Sequence, residues 1–200
     1  MARLDVPDLI VADADAFGEW LDANHDRCDG VWLVLAKKNT IVPTSLTYSE
    51  ALDAALCFGW IDGQRKSRDA ATFAQRYTPR RSTSMWSKRN VCIVDRLIAD
   101  GRMQPSGLIE IERAKADGRW AAAYSGQASA TVPSDLAAAL AADEDAASMF
   151  ASLSGTNRYA ILYRVATAKK ADTRARRIGE LVAMLARGET IHPQKIQGPT

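Results

Sequence analysis

The chain has 200 residues, 47% of them apolar and 25% charged, with a net charge of +2. Such a chain buries a real core without disulfide or metal staples, and its near-neutral balance by itself points to no polyanionic partner. Three cysteines (Cys28, Cys57, Cys92) and two histidines (His25, His192) are too scattered for a disulfide framework or a Cys/His zinc site, so neither a metal nor a cofactor is expected. The opening segment has several acids and no apolar run of leader length. No stretch approaches the ~20 apolar residues that cross a bilayer, so a cytoplasmic protein without a membrane span is expected.

Asp13 is placed to cap a helix whose Phe17, Trp20 and Leu21 fall on one face and which fades near Asn24 and His25. The apolar, β-branched run 31–36 predicts a buried strand. Thr47-Tyr-Ser-Glu50 is a capping-box pattern opening a helix that Gly59 ends. Segments 60–66 and 72–77 interleave polar and aromatic residues as two short strands, the second stopped by Pro79. Strand alternation puts Trp60, Asp62, Gln64 and Lys66 on one face and Ile61, Gly63 and Arg65 on the other. Ser87 starts a helix with Val91, Val94, Leu97 and Ile98 inward, and Pro105 opens another with Leu108 and Ile111 inward. From Val132 only helices are expected. Ser134 or Asp135 caps the first, and Met149, Phe150 and Leu153 mark a short second. Tyr159, Leu162, Tyr163 and Ala166 stripe the third, and Ile178, Leu181, Val182 and Leu185 the last, with a mobile tail after His192. The fold class is therefore α+β: a small antiparallel sheet packed with helices, followed by an all-helical half. The boundaries are 1–131 and 132–200, within one compact domain.

Charge is distributed unevenly. Residues 1–64 carry 4 basic and 11 acidic side chains, residues 65–90 carry 8 and 1, and residues 91–200 carry 14 and 12. A concentrated cationic block thus sits inside a near-neutral chain, and a second basic cluster spans 156–177.

The segments Ala55-Leu-Cys-Phe-Gly-Trp-Ile-Asp-Gly63, Arg76-Tyr-Thr-Pro-Arg-Arg81 and Ser84-Met-Trp-Ser-Lys-Arg-Asn90 resemble the central signature of the YdeI/OmpD-associated family. Asn157-Arg-Tyr-Ala-Ile-Leu-Tyr163, Ala168-Lys-Lys170 and Thr173-Arg-Ala-Arg-Arg-Ile178 resemble its C-terminal helical module, and the resemblance runs from about Val31 to Gly188. It implies bacteriocin protection and association with an outer-membrane porin, and it supplies no catalytic residues.

The residues themselves suggest a basic-aromatic pocket for an anionic small molecule, built from Trp60, Asp62, Gln64, Arg76, Arg80, Arg81, Trp86, Ser87 and Asn90. Arginine forks grip phosphate or carboxylate in two places, a helix start at Ser87 favours an anion, and Trp60 and Trp86 can stack a flat ring. The plainer alternative is a solvated strand pair held by internal ion pairs, chiefly Asp62 to arginine. Asp62 and Tyr77 are the acid/base candidates should the protein be an enzyme, although nearby arginines would weaken Asp62 as a base. Cys57 reads as core, and there is neither a P-loop nor a G-x-G-x-x-G motif. The 156–177 cluster is either an extension of the anion site or, more simply, a solvated helix face compensating helix dipoles. A non-enzymatic binding or stress-resistance protein is the leading expectation. An enzyme on an anionic substrate comes second and a nucleic-acid binder third. A protein partner is left open.

Overall fold

The computed structural model describes residues 8–168 and 170–194. The tail beyond Gln194, and Lys169 of the second basic cluster, lie outside the described residues. The chain divides into two compact units, Met1–Ala123 and Tyr124–Thr200.

In the first unit β1 (Asp8–Leu9), α1 (Ala14–Asn24), β2 (Val31–Ala36), α2 (Tyr48–Cys57), β3 (Trp60–Ser67), β4 (Thr72–Pro79), α3 (Lys88–Ala99) and α4 (Pro105–Ala116) follow one another. The sheet order is β1-β2-β4-β3. The three strands expected from sequence pair antiparallel. The two-residue β1 adds a parallel edge, so the sheet is mixed. The local signals act as read. Asp13 accepts from the Ala16 N–H at 3.0 Å, and the Thr47–Glu50 capping box is complete. Gly59, at φ +77°, carries the chain out of α2 through a left-handed conformation that a side chain would strain.

Directly paired residues on neighbouring strands point to the same side. Val31, Leu33 and Leu35 of β2, Phe73 and Tyr77 of β4, and Trp60 of β3 therefore share a face, which Phe17 and Leu21 of α1 and Ala51, Ala54 and Ala55 of α2 cover. A second cluster joins Leu52, Leu56 and Cys57 of α2 to Trp86, Val94 and Leu97 around α3 and Ile111 and Ala114 of α4. Gly107 lets α4 close on α2, since a Cβ there would run into the Cys57 carbonyl. Ile98 and Leu108, expected inward, are exposed because the buried stripes settle on Val94–Leu97 and Ile111–Ala114 instead.

The face assignment along β3 needs correction. A bulge between Asp62 and Arg65 sets two residues, Gly63 and Gln64, against one on β4. Beyond it the alternation is reversed. Arg65, opposite Gln75, joins the face of Trp60 and Asp62, while Lys66, opposite Ala74, goes to the other face over Trp32. The bulge frees the Gly63 carbonyl from the ladder, and buried Gln75 donates its side-chain N–H to it at 2.8 Å.

The second unit holds α5 (Ser134–Ala141), α6 (Glu144–Ala151), α7 (Gly155–Ala166) and α8 (Ala171–Ala186). Its core is Leu136, Leu140, Met149, Phe150, Ile161, Leu162, Val165, Ile178, Leu181 and Leu185. Neither Ser134 nor Asp135 caps α5. Pro133 is the N-cap residue, and the Asp135 carboxylate is taken by Arg174 at 2.5 and 2.8 Å. On α7 the inward stripe is Asn157, Ile161, Leu162 and Val165. Tyr159 and Tyr163 instead form a ridge with Tyr124, their ring centroids 6.1 and 4.9 Å apart along the row.

Candidate functional site

The central cationic block does not gather into one pocket. Lys66 ion-pairs with Asp8 at 2.9 Å, and Arg68 with Asp69 at 2.9 Å. Arg65 lies over the Phe73 ring at 3.8 Å. Arg76 is half-buried on the sheet face opposite the helices, paired across from Trp32. Arg80 is buried, with its guanidinium 3.5 Å from the Trp86 ring centre. Arg81 is exposed in the turn before α3, and Gln64 is exposed at the bulge. Trp60 is core. It is 1% exposed, donates its indole N–H to the His25 carbonyl at 3.2 Å and stands edge-on to Trp20. Ser87 caps α3 by accepting from the Asn90 N–H at 3.1 Å, which uses one of the free N–H groups an anion would seek there, and Asn90 is itself buried.

Two of the named residues do meet. Asp62 and Tyr77 are directly opposed across β3 and β4. The Asp62 partner is not an arginine, as expected, but Tyr48 at the start of α2, whose hydroxyl donates to the carboxylate at 2.9 Å. Among the described residues no lysine or arginine lies within ion-pair distance of Asp62. Arg89, from the first turn of α3, donates to the Tyr48 oxygen at 3.2 Å and lies over the Tyr48 ring. Burial raises the Tyr48 phenol above its usual range, the Asp62 charge adds to that, and Arg89 acts in the opposite direction. Tyr77 is 0% exposed, and burial, then Asp62, pushes its phenol up strongly. Both phenols are therefore neutral donors near pH 7. The Tyr77 hydroxyl is buried without a hydrogen-bond partner among the described residues.

Arg89 also lines a groove of about 460 Å³ between α2 and α3, with Ser49, Asp53, Cys92, Ile93 and Arg96. Arg96 is held by Asp53 at 2.7 Å, and Arg102 approaches the same carboxylate at 3.8 Å. Arg89 has no carboxylate within ion-pair distance among the described residues. The groove thus presents one guanidinium whose charge is not locally cancelled, backed by a tyrosine–carboxylate pair. Arg89 belonged to the cationic block read as a possible anion pocket but not to the pocket set drawn from it, and Tyr48 was read only as part of a capping box. Nothing local in the sequence joins residue 48 to residue 62.

Residues 9–110 match the family model described as a domain of unknown function, DUF8412. That is just over half of the chain. The chain belongs to the DUF8412 family. The Asp62–Tyr48–Arg89 network and the groove lie entirely within its DUF8412 segment. Residues 129–188, within the second unit, match the model described as Bacteriocin-protection, YdeI or OmpD-Associated. The resemblance drawn from sequence is thus carried by the helical module, while its central signature lies in the DUF8412 segment. No curated protein and no solved structure matches the chain. No helix among the described residues is long and apolar enough to cross a membrane.

Proposed function

We propose that the DUF8412 segment is a non-enzymatic binding module for a small anionic molecule, anchored by Arg89 in the groove between α2 and α3. The observation that carries this reading is an exposed arginine, lining a groove of ligand size, with no carboxylate within ion-pair distance among the described residues. Binding rather than turnover is favoured because the two phenols beside Asp62 are held neutral, which suits hydrogen-bond donation and not base or nucleophile chemistry. A small ligand is favoured over nucleic acid because arginines of the second basic cluster are engaged internally. Arg174 pairs with Asp135, Arg176 with Glu180, and Arg177 donates to the Arg164 carbonyl. The setting we infer is the cytoplasm, which suits three free cysteines. A role in bacteriocin resistance rests on the description of the second family model alone.

The test is a thermal-shift screen against phosphate, nucleotides, sugar phosphates, polycarboxylates and short oligonucleotides. It is run on the wild type, Arg89→Ala and the exposed neighbour variant Lys88→Ala. A ligand at 100 times its Kd stabilises by about 2.7 kcal/mol. One compound class is expected to raise the melting temperature in wild type and Lys88→Ala but not in Arg89→Ala. A shift that persists in Arg89→Ala, or no shift with any class, overturns the proposal.

A further inference from the structure

A second groove, of about 520 Å³, runs between α1, the end of α2 and the segment before α4. Ala14 and Gly18 of α1, with Ala54 and Phe58, form its apolar floor. Asp15, Glu19 and Asp22 line the same groove and are exposed. None of these three carboxylates has a cation within ion-pair distance among the described residues. Arg102, also in the lining, approaches Asp53 instead, at 3.8 Å. The lining thus carries three acids against one base. Along this face α1 works against its own stability. Asp15 suits the first turn, but like charges three and four residues apart repel. Asp22 stands in the last turn, where the dipole disfavours an anion, and no basic residue offsets it there. Gly18 weakens the helix interior, yet a Cβ added to it would meet nothing within 4 Å, so packing does not require it. Local rules broken without compensation inside a fold mark sites that answer to something outside it. A bound cation relieves the repulsion, and the open space over Gly18 admits its chain.

The spacing narrows the class of cation. Helical rise sets Asp15 and Glu19 about 6 Å apart along the axis, and Glu19 and Asp22 about 4.5 Å apart. Standard bond lengths place nitrogens separated by four and by three methylenes about 6 and 5 Å apart in an extended chain. We infer that this groove binds a linear aliphatic polyamine. Its ammonium groups lie on Asp15, Glu19 and Asp22, and its methylenes lie on the apolar floor while the charges keep their contact with water. The site is independent of the Arg89 groove and does not rest on the anion reading.

Calorimetric titration of the full chain with spermidine, butylamine and magnesium, at constant ionic strength, tests it. Spermidine is expected to bind saturably at one site in wild type and in Arg89→Ala. Butylamine has a single ammonium and magnesium has charge without a chain, so each is expected to bind about tenfold more weakly. Glu19→Gln is expected to weaken spermidine about threefold. Gly18→Leu fills the floor and is expected to abolish binding while unfolding no earlier than wild type. No spermidine binding in wild type, magnesium binding as tight as spermidine, or undiminished spermidine binding in either variant overturns the inference. Should Gly18→Leu fail to fold, the exposed substitution Glu19→Gln decides.

Discussion

The two basic stretches look alike as sequence and are used differently in the fold. In the helical unit the arginines answer backbone carbonyls and carboxylates. Arg158 donates to the Phe150 carbonyl, Arg174 to the Val165 carbonyl and Asp135, and Arg177 to the Arg164 carbonyl. Two of these close the C-terminal end of α7, where unsatisfied carbonyls and the helix dipole attract a cation. In the first unit four cations lie on rings, Arg65 on Phe73, Lys66 on Trp32, Arg80 on Trp86 and Arg89 on Tyr48, and Lys66 pairs with Asp8 as well. A ring attracts a cation without neutralising it. Charge used for capping is used up, whereas charge laid on an aromatic face with no carboxylate within ion-pair distance among the described residues, as at Arg89, remains available to an anion.

That contrast can be broken at three points. The largest effect is expected from Trp86→Ala, which removes a fully buried platform and leaves Arg80 without its ring. Loss of a buried aromatic costs about 3–5 kcal/mol, read as a lower denaturant midpoint by tryptophan fluorescence. All five tryptophans (Trp20, Trp32, Trp60, Trp86, Trp120) belong to the first unit, so this signal reports on that unit alone. Next is Arg174→Ala, which removes the Asp135 pair and a cap on α7, a loss of about 1–2 kcal/mol. It is expected to move the transition in helix ellipticity while leaving the fluorescence midpoint and the anion response in place. Coincident shifts in both signals would instead mean that the two units unfold together.

The smallest effect is a pH dependence. Hydrogen bonding from Arg174 holds the Asp135 carboxyl below its usual range in the folded state. Its contribution is thus present above the unfolded value of about 3.9 and fades as pH falls through the depressed folded value. Asp135→Asn is expected to be less stable than wild type near neutrality and to converge on it below about pH 4.

What the sequence disclosed was whatever is encoded within a few residues. The Asp13 and Thr47 caps, the strand at Val31–Ala36 and the glycine stop at Gly59 each depend on neighbours in the chain. What it concealed depends on partners elsewhere. Two residues at Asp8–Leu9 carry no pattern until β2 offers them an edge. The α7 sequence supports two overlapping stripes, and only the surrounding helices choose Ile161 and Val165 over Tyr159 and Tyr163. Asp62 and Tyr77 were legible because a strand pair sets them face to face. Tyr48 and Arg119 were not, because each reaches its partner across a separation of 14 or 35 residues.

The bulge in β3 has an evolutionary corollary. It acts as a phase shifter between the inner half of the strand, fixed by Trp60 and Asp62, and an outer half that begins with two adjacent cations. With the inner pairing held, deletion of Gln64 would remove the bulge and leave Arg65 opposite Gln75 and Lys66 opposite Ala74, on the faces they already occupy. Phe73 would keep its arginine and Trp32 its lysine. The bulge thus makes this stretch of strand tolerant of a one-residue deletion that would be ruinous in β2, where a shift would turn Leu33 and Leu35 out of the core.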